Sequence, residues 1–258
     1  MQADSSRLMK ALCACLLCGC AQLAQAQSEQ GSVSAAVRGI AASSIQTPVA
    51  YRARWRTAGF GFYGQTAQSP AGNSDVDGGL GFALGLGDPD QLVGADLAVS
   101  SASLSRSEGG SDGFGDSGSF GIKLHRNLPW YTSVAIGANG FGRWGKLKDN
   151  SDESYYAVLS RFLNLGGPYG VVVNLGAGNE AYADPGKNGV QAIGSLAFYY
   201  TTRFSLLVEH TGRFTNAGLS VAPVSHWPAT ITMGVTNLGQ RLGLDTEFAL
   251  SVGLGFGY

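Results

Sequence analysis

Phe248-Ala249-Leu250-Ser251-Val252-Gly253-Leu254-Gly255-Phe256-Gly257-Tyr258 alternates large apolar residues with small ones up to a final aromatic. Side chains of a strand repeat every two residues. Phe248, Leu250, Val252, Leu254, Phe256 and Tyr258 therefore share one face, and Glu247, Ala249, Ser251, Gly253, Gly255 and Gly257 share the other. A long greasy strand left at a sheet edge invites edge-to-edge pairing, whereas a closed barrel has no free edge. The pattern predicts a strand with lipid on one side and an interior on the other.

This ending resembles the last strand of bacterial outer-membrane β-barrel proteins. The resemblance implies a Gram-negative-type outer-membrane location, outer-membrane lipids as neighbours, and recognition of the terminal strand by the outer-membrane assembly machinery. Phe248, Leu250, Val252, Leu254, Phe256 and Tyr258 would be that signal. It covers only this short stretch, so it implies place and architecture rather than activity.

At the other end, Arg7 and Lys10 precede an apolar run from Ala11 to Gly19, and Ala24-Gln25-Ala26 offers a small-x-small site before Gln27. Residues 1–26 read as a cleaved secretory signal peptide, because the run is too short to span a bilayer. All four cysteines, Cys13, Cys15, Cys18 and Cys20, lie inside it, so cleavage leaves no disulfide or cysteine metal site. Leu17-Cys18-Gly19-Cys20 also resembles a lipoprotein cleavage box, which would make Cys20 the first mature residue. Without residues 1–26 the formal charge is about −2, since Arg7, Lys10 and Asp4 are removed. No basic excess points to nucleic acid. Mean hydropathy is near zero, as expected when only alternate residues are greasy.

From about residue 57 onward the alternation recurs. Leu80, Phe82, Leu84 and Leu86 against Gly79, Gly81, Ala83, Gly85 and Gly87 is its clearest instance. Runs at about 57–66, 79–87, 93–100, 116–126, 131–142, 154–164, 170–181, 190–200, 203–212, 216–222, 229–237 and 246–258 predict an all-β, transmembrane, antiparallel up-and-down barrel of about 12 strands, with 10–14 allowed. Connections alternate between short ones (87–90, 127–129, 165–169, 201–202, 223–228) and mostly longer polar ones (67–78, 105–115, 143–153, 182–189, 238–245, with a shorter one near 213–215). That rhythm fits short turns on the side of the termini and longer loops outside. The domain reading is thus 1–26 signal peptide, 27–56 N-terminal extension or plug, and 57–258 barrel. For 27–56, a periplasmic extension, a plug entering the lumen and an irregular first strand all stay open.

Gly, Ala and Ser on the inward face are too small to build a dense core at native packing; they suit a lumen that holds water or receives a plug. Parity places Tyr63, Asp96, Lys123, His125, Arg161, Arg203, Glu209 and Glu247 on that face, where groups of both signs would set solute preference or brace the wall. Glu209-His210-Thr211-Gly212-Arg213-Phe214-Thr215-Asn216-Ala217-Gly218 superficially resembles the His-x-Ser-Asn-Ala-Gly region of outer-membrane lipid A deacylases, but Gly212 stands where the nucleophile would be. Parity also puts His210 outward. No catalytic residue, metal site or cofactor is expected, and the acids Asp75, Asp77, Asp112, Asp116, Asp149, Asp152 and Glu153 match no calcium-loop pattern. Trp130, Tyr131, Tyr155, Tyr156, Tyr199, Tyr200 and Trp227 lie near strand ends, as girdle aromatics do. The expected function is a small porin or narrow channel for small polar solutes. The competing expectation is a non-conducting barrel of envelope architecture, exopolysaccharide export or adhesion, with a lipid hydrolase a distant third.

Overall fold

Alternation over so many runs can satisfy every strand's backbone only if the sheet closes on itself. The structure, a computed structural model, describes residues 35–36, 38–51, 55–68, 74–102, 115–145, 147–150, 152–224 and 227–258. The leader with its cysteines, Arg52, Arg54, Asp112 and His226 lie outside the described residues. Twelve strands form one closed antiparallel barrel. They are β1 (Thr57–Gln68), β2 (Ser74–Gly87), β3 (Gly94–Ala102), β4 (Ser117–Leu128), β5 (Thr132–Trp144), β6 (Ser154–Gly166), β7 (Tyr169–Gly178), β8 (Gln191–Thr201), β9 (Phe204–His210), β10 (Thr215–Val221), β11 (Ala229–Thr236) and β12 (Glu247–Gly257). Each strand pairs with its sequence neighbours, and β1 closes the ring on β12 in the register Thr57↔Gly257 to Gln65↔Ala249.

The stretch that ends the chain is β12, and its parity is as the sequence requires. Phe248, Leu254 and Phe256 are exposed, while Ala249, Ser251, Gly253 and Gly255 are buried. The outward residues of neighbouring strands continue the apolar surface; Phe60 on β1 packs between Phe82 on β2 and Phe256 on β12. Phe62, Leu124, Ile136, Leu159, Leu175, Leu196 and Leu206 are among those exposed around the ring. Tight connections such as 202–203 gather at one end, together with the end of β12; the longer 179–190 and 237–246 lie at the other. At the short-turn end Gly87 has φ of +73°, and a Cβ there would stand 2.4 Å from the Val93 carbonyl oxygen, so the β2–β3 turn requires glycine.

Candidate functional site

Residues 40–51 carry no regular secondary structure, yet residues 41–50 are buried except for the half-buried Ser43. A buried irregular backbone must find partners outside itself. Here the inward side chains of the barrel supply them. Thr230 Oγ1 donates to the Ile40 carbonyl, Tyr199 Oη to Ala41, Ser205 Oγ to Ala42, and Asn174 Nδ2 and Ser195 Oγ both to Ser43. The Ala42 and Ala50 amides donate to Ser220 Oγ and Ser160 Oγ. Gln46 Nε2 donates to Tyr63 Oη at 2.7 Å, and Lys123 Nζ to the Val49 carbonyl at 3.1 Å. These partners sit on β1, β4, β6, β7, β8, β9, β10 and β11, so the segment lies within the lumen.

Glu209 on β9 is the centre of this seat. Its carboxylate accepts from the amides of Ile45 (2.8 Å), Gln46 (2.9 Å) and Thr47 (3.2 Å), and from the hydroxyls of Ser44 (2.9 Å) and Thr47 (2.8 Å). Asn216 Nδ2 on β10 donates to the other side of the carboxylate at 2.8 Å and also reaches Gln46 Oε1. A buried carboxyl group left without partners is costly, and here six donors converge on it. Beside this turn, Gly218 and Gly234 face each other on β10 and β11. A Cβ on either would stand about 3 Å from Ile45 Cδ1, so the missing side chains make the room that Ile45 occupies. On the opposite arc, Asp96 lies 3.3 Å from Lys123 Nζ and 3.5 Å from His125 Nδ1, all three buried.

The long-loop mouth is covered by loop residues. Tyr182, in the loop after β7, is buried against Ala50, Tyr156 and Ile193, and burial pushes its phenol well above the ordinary range. Arg213 donates to the carbonyls of Ala183 and Glu180, and Arg241 to that of Arg213. Arg241 also pairs with Asp184 at 3.2 Å, and Asp184 with Lys187 at 3.1 Å. The Lys187 hydrogen bond is the larger influence holding the Asp184 carboxyl below its usual value, opposed by burial and aided by the nearby cations. Three loops from separate hairpins are thereby tied together.

Of the eight residues expected in the lumen, Tyr63, Asp96, Lys123, His125 and Glu209 are buried on the inward face, and Glu247 is half-buried near the long-loop end with Gln65 as partner. Arg161 is not in the lumen. Ser160, one residue before it, bonds the Ala50 amide, so parity turns Arg161 outward and exposed. Arg203 is also misplaced by the sequence reading: it stands exposed in the two-residue turn between β8 and β9. Within the expected girdle, Trp130, Tyr131, Tyr155, Tyr200 and Trp227 are exposed, but Tyr156 and Tyr199 point inward, since adjacent strand residues cannot share a face. His210 is exposed, with Nδ1 3.3 Å from Thr215 Oγ1. Sequence reasoning missed the partners of the seat (Ser160, Asn174, Ser195, Ser205, Asn216, Ser220 and Thr230); their small polar character on inward positions was the available signal.

No family model matches the chain, and no curated protein matches it. Among solved structures, the N-terminal β-barrel domain of OprF from Pseudomonas aeruginosa is similar over 78% of this chain and 98% of that one, at 10% identity and a TM-score of 0.21. At that score the fold assignment rests on the strand pairing alone.

Proposed function

We propose that this chain is an outer-membrane channel for small polar solutes, held closed by its own residues 40–51. The observation that carries the reading is the polar seat: eight strands hold the segment through hydroxyl, amide and carboxylate groups. A permanently filled interior gains most from apolar packing. Hydroxyls and amides, by contrast, exchange a peptide partner for water at a net cost of only about 1 kcal/mol per bond. A lumen lined this way can be emptied and wetted. The exposed apolar exterior supports a lipid surround, and the outward row of β12 fits recognition by assembly machinery. The proposal assigns no catalysis, metal or cofactor.

The test is single-channel conductance in planar bilayers, comparing residues 27–258 with a form lacking residues 27–50. A silent longer form and stepwise currents after truncation are expected. Silence in both forms would reject the channel. It would favour the non-conducting, envelope-architecture reading, for which the interlocked Arg213, Arg241 and Asp184 loops over the mouth are the supporting observation.

A further inference from the structure

Two arginines stand on the outward, apolar face of the barrel near its short-turn end. Arg126 on β4 follows the outward Phe120, Ile122 and Leu124, and Arg161 on β6 follows Tyr155, Ala157 and Leu159. Both are exposed, and neither has an ion-pair or hydrogen-bond partner among the described residues. Strand pairing fixes their relation. Arg126, Val134, Leu159 and Leu175 form one row across β4–β7, and Leu128, Thr132, Arg161 and Val173 form the next row toward the short-turn end. The two cations are thus two strands and one row apart, about 12 Å between backbones, close enough for their long side chains to converge.

Above them the wall is dented. Leu124, Ile136, Ala157 and Ala177 form the row on the far side of Arg126, and their small members leave a groove of about 680 Å³. It is walled by Leu124, Ile136, Leu159 and Leu175, and Arg126 lines its charged end. Below it, the β4–β5 turn exposes Trp130 and Tyr131.

An arginine on a lipid face is costly unless it reaches a headgroup or an anion. A guanidinium pair matches a phosphate in charge and hydrogen-bond geometry, and an apolar groove running from that pair suits a hydrocarbon chain. We propose that this face is a binding site for an anionic phospholipid of the leaflet on the termini side, with its phosphate between Arg126 and Arg161 and an acyl chain in the Leu124–Ile136–Ala157–Leu159 groove. The inference rests on the membrane reading above and adds to it a lipid class and a place.

Trp130 is a built-in reporter. The chain, with Trp55, Trp144 and Trp227 changed to Phe, is refolded into phosphatidylcholine vesicles doped with brominated phosphatidylglycerol or with brominated phosphatidylcholine, and tryptophan quenching is followed against dopant fraction. The anionic lipid should quench at a lower fraction, with a preference that falls roughly fivefold for each of Arg126→Gln and Arg161→Gln, the usual contribution of one basic residue at an anionic surface. Ala157→Leu, which fills the groove, should weaken quenching with both arginines in place. Equal quenching by the two lipids, or a preference untouched by either arginine variant, overturns the site. Protease protection in the same vesicles separates the two levels of claim. Insertion without preference refutes only the lipid site, whereas failure to insert refutes the membrane reading and the site together.

Discussion

Opposite arcs of the barrel wall treat the inner segment in contrasting ways. The arc from β6 to β11 presents Ser160, Asn174, Ser195, Ser205, Glu209, Asn216, Ser220 and Thr230, each bonded to residues 40–50. The arc of β12, β1 and β2 presents Gly253 and Gly255, Gly59 and Gly61, then Gly81 and Gly85, with Ala83 and Ala249 among them. Glycine offers no side chain with which to hold anything. Tyr63 and Gln65 farther along β1 hold Gln46, and Lys123 on β4 holds the Val49 carbonyl, so the difference teaches that the segment is attached mainly to the β6–β11 side, and a path opened by its movement would run along the glycine stretch.

The severest challenge to the comparison is Glu209→Ala. It strands the donors of residues 44–47 together with Asn216, and leaving a buried donor unmade costs about 1–3 kcal/mol, more for charge-assisted bonds. Cleavage within 40–51 by added protease should accelerate by orders of magnitude, and Thr47→Cys should become labelled. If the segment stays protected, the arc does not hold it through this carboxylate. Next, Gly61→Leu should leave that protection unchanged while reducing the current of the truncated form, because it obstructs only the glycine arc. Equal currents would place the path elsewhere. Smaller still, Ser205→Ala and Ser220→Ala should each lower thermal stability by about 1 kcal/mol, the net worth of a typical hydrogen bond. The smallest effect concerns the loops. A carboxyl whose folded value is lowered stabilises the fold above its unfolded value and loses that contribution as pH falls through the folded one. Acidification below 3.8 should therefore loosen the Asp184 contacts, and Asp184→Asn should remove this pH dependence from hydrogen exchange of residues 180–187.

The strand order and the alternation of turns and loops were legible because an apolar exterior imposes a period of two on every strand. The seat was less so. Ser160, Ser205 and Thr230 look the same in sequence whether they face water or a peptide. Arg161 was misassigned where that period fails: Tyr155-Tyr156-Ala157-Val158-Leu159 is apolar on both faces, because Tyr156 and Val158 pack with Ala50 and Tyr182 inside the barrel. The inner segment's own apolar contacts erase the signal that would have revealed it. Parity places Glu209 on the inward face, as the structure has it, but nothing local to β9 announces that all its donors except Asn216 lie more than 160 residues away.

Thr57 meets Gly257 at the seam between the first strand and the last, and this sets the order of events in folding. That joint is a non-local pairing, which must meet its loop-closure entropy before its contacts reward it, whereas every other pairing joins consecutive strands, so the seam forms last. Residues 40–51 immediately precede the first strand, so while the seam is open they can settle sideways against the exposed inner face. Once it is shut they must thread lengthwise. Refolding should therefore show seating of the segment before or together with ring closure, and a chain whose ring closes first should be trapped with its amino-terminal portion outside.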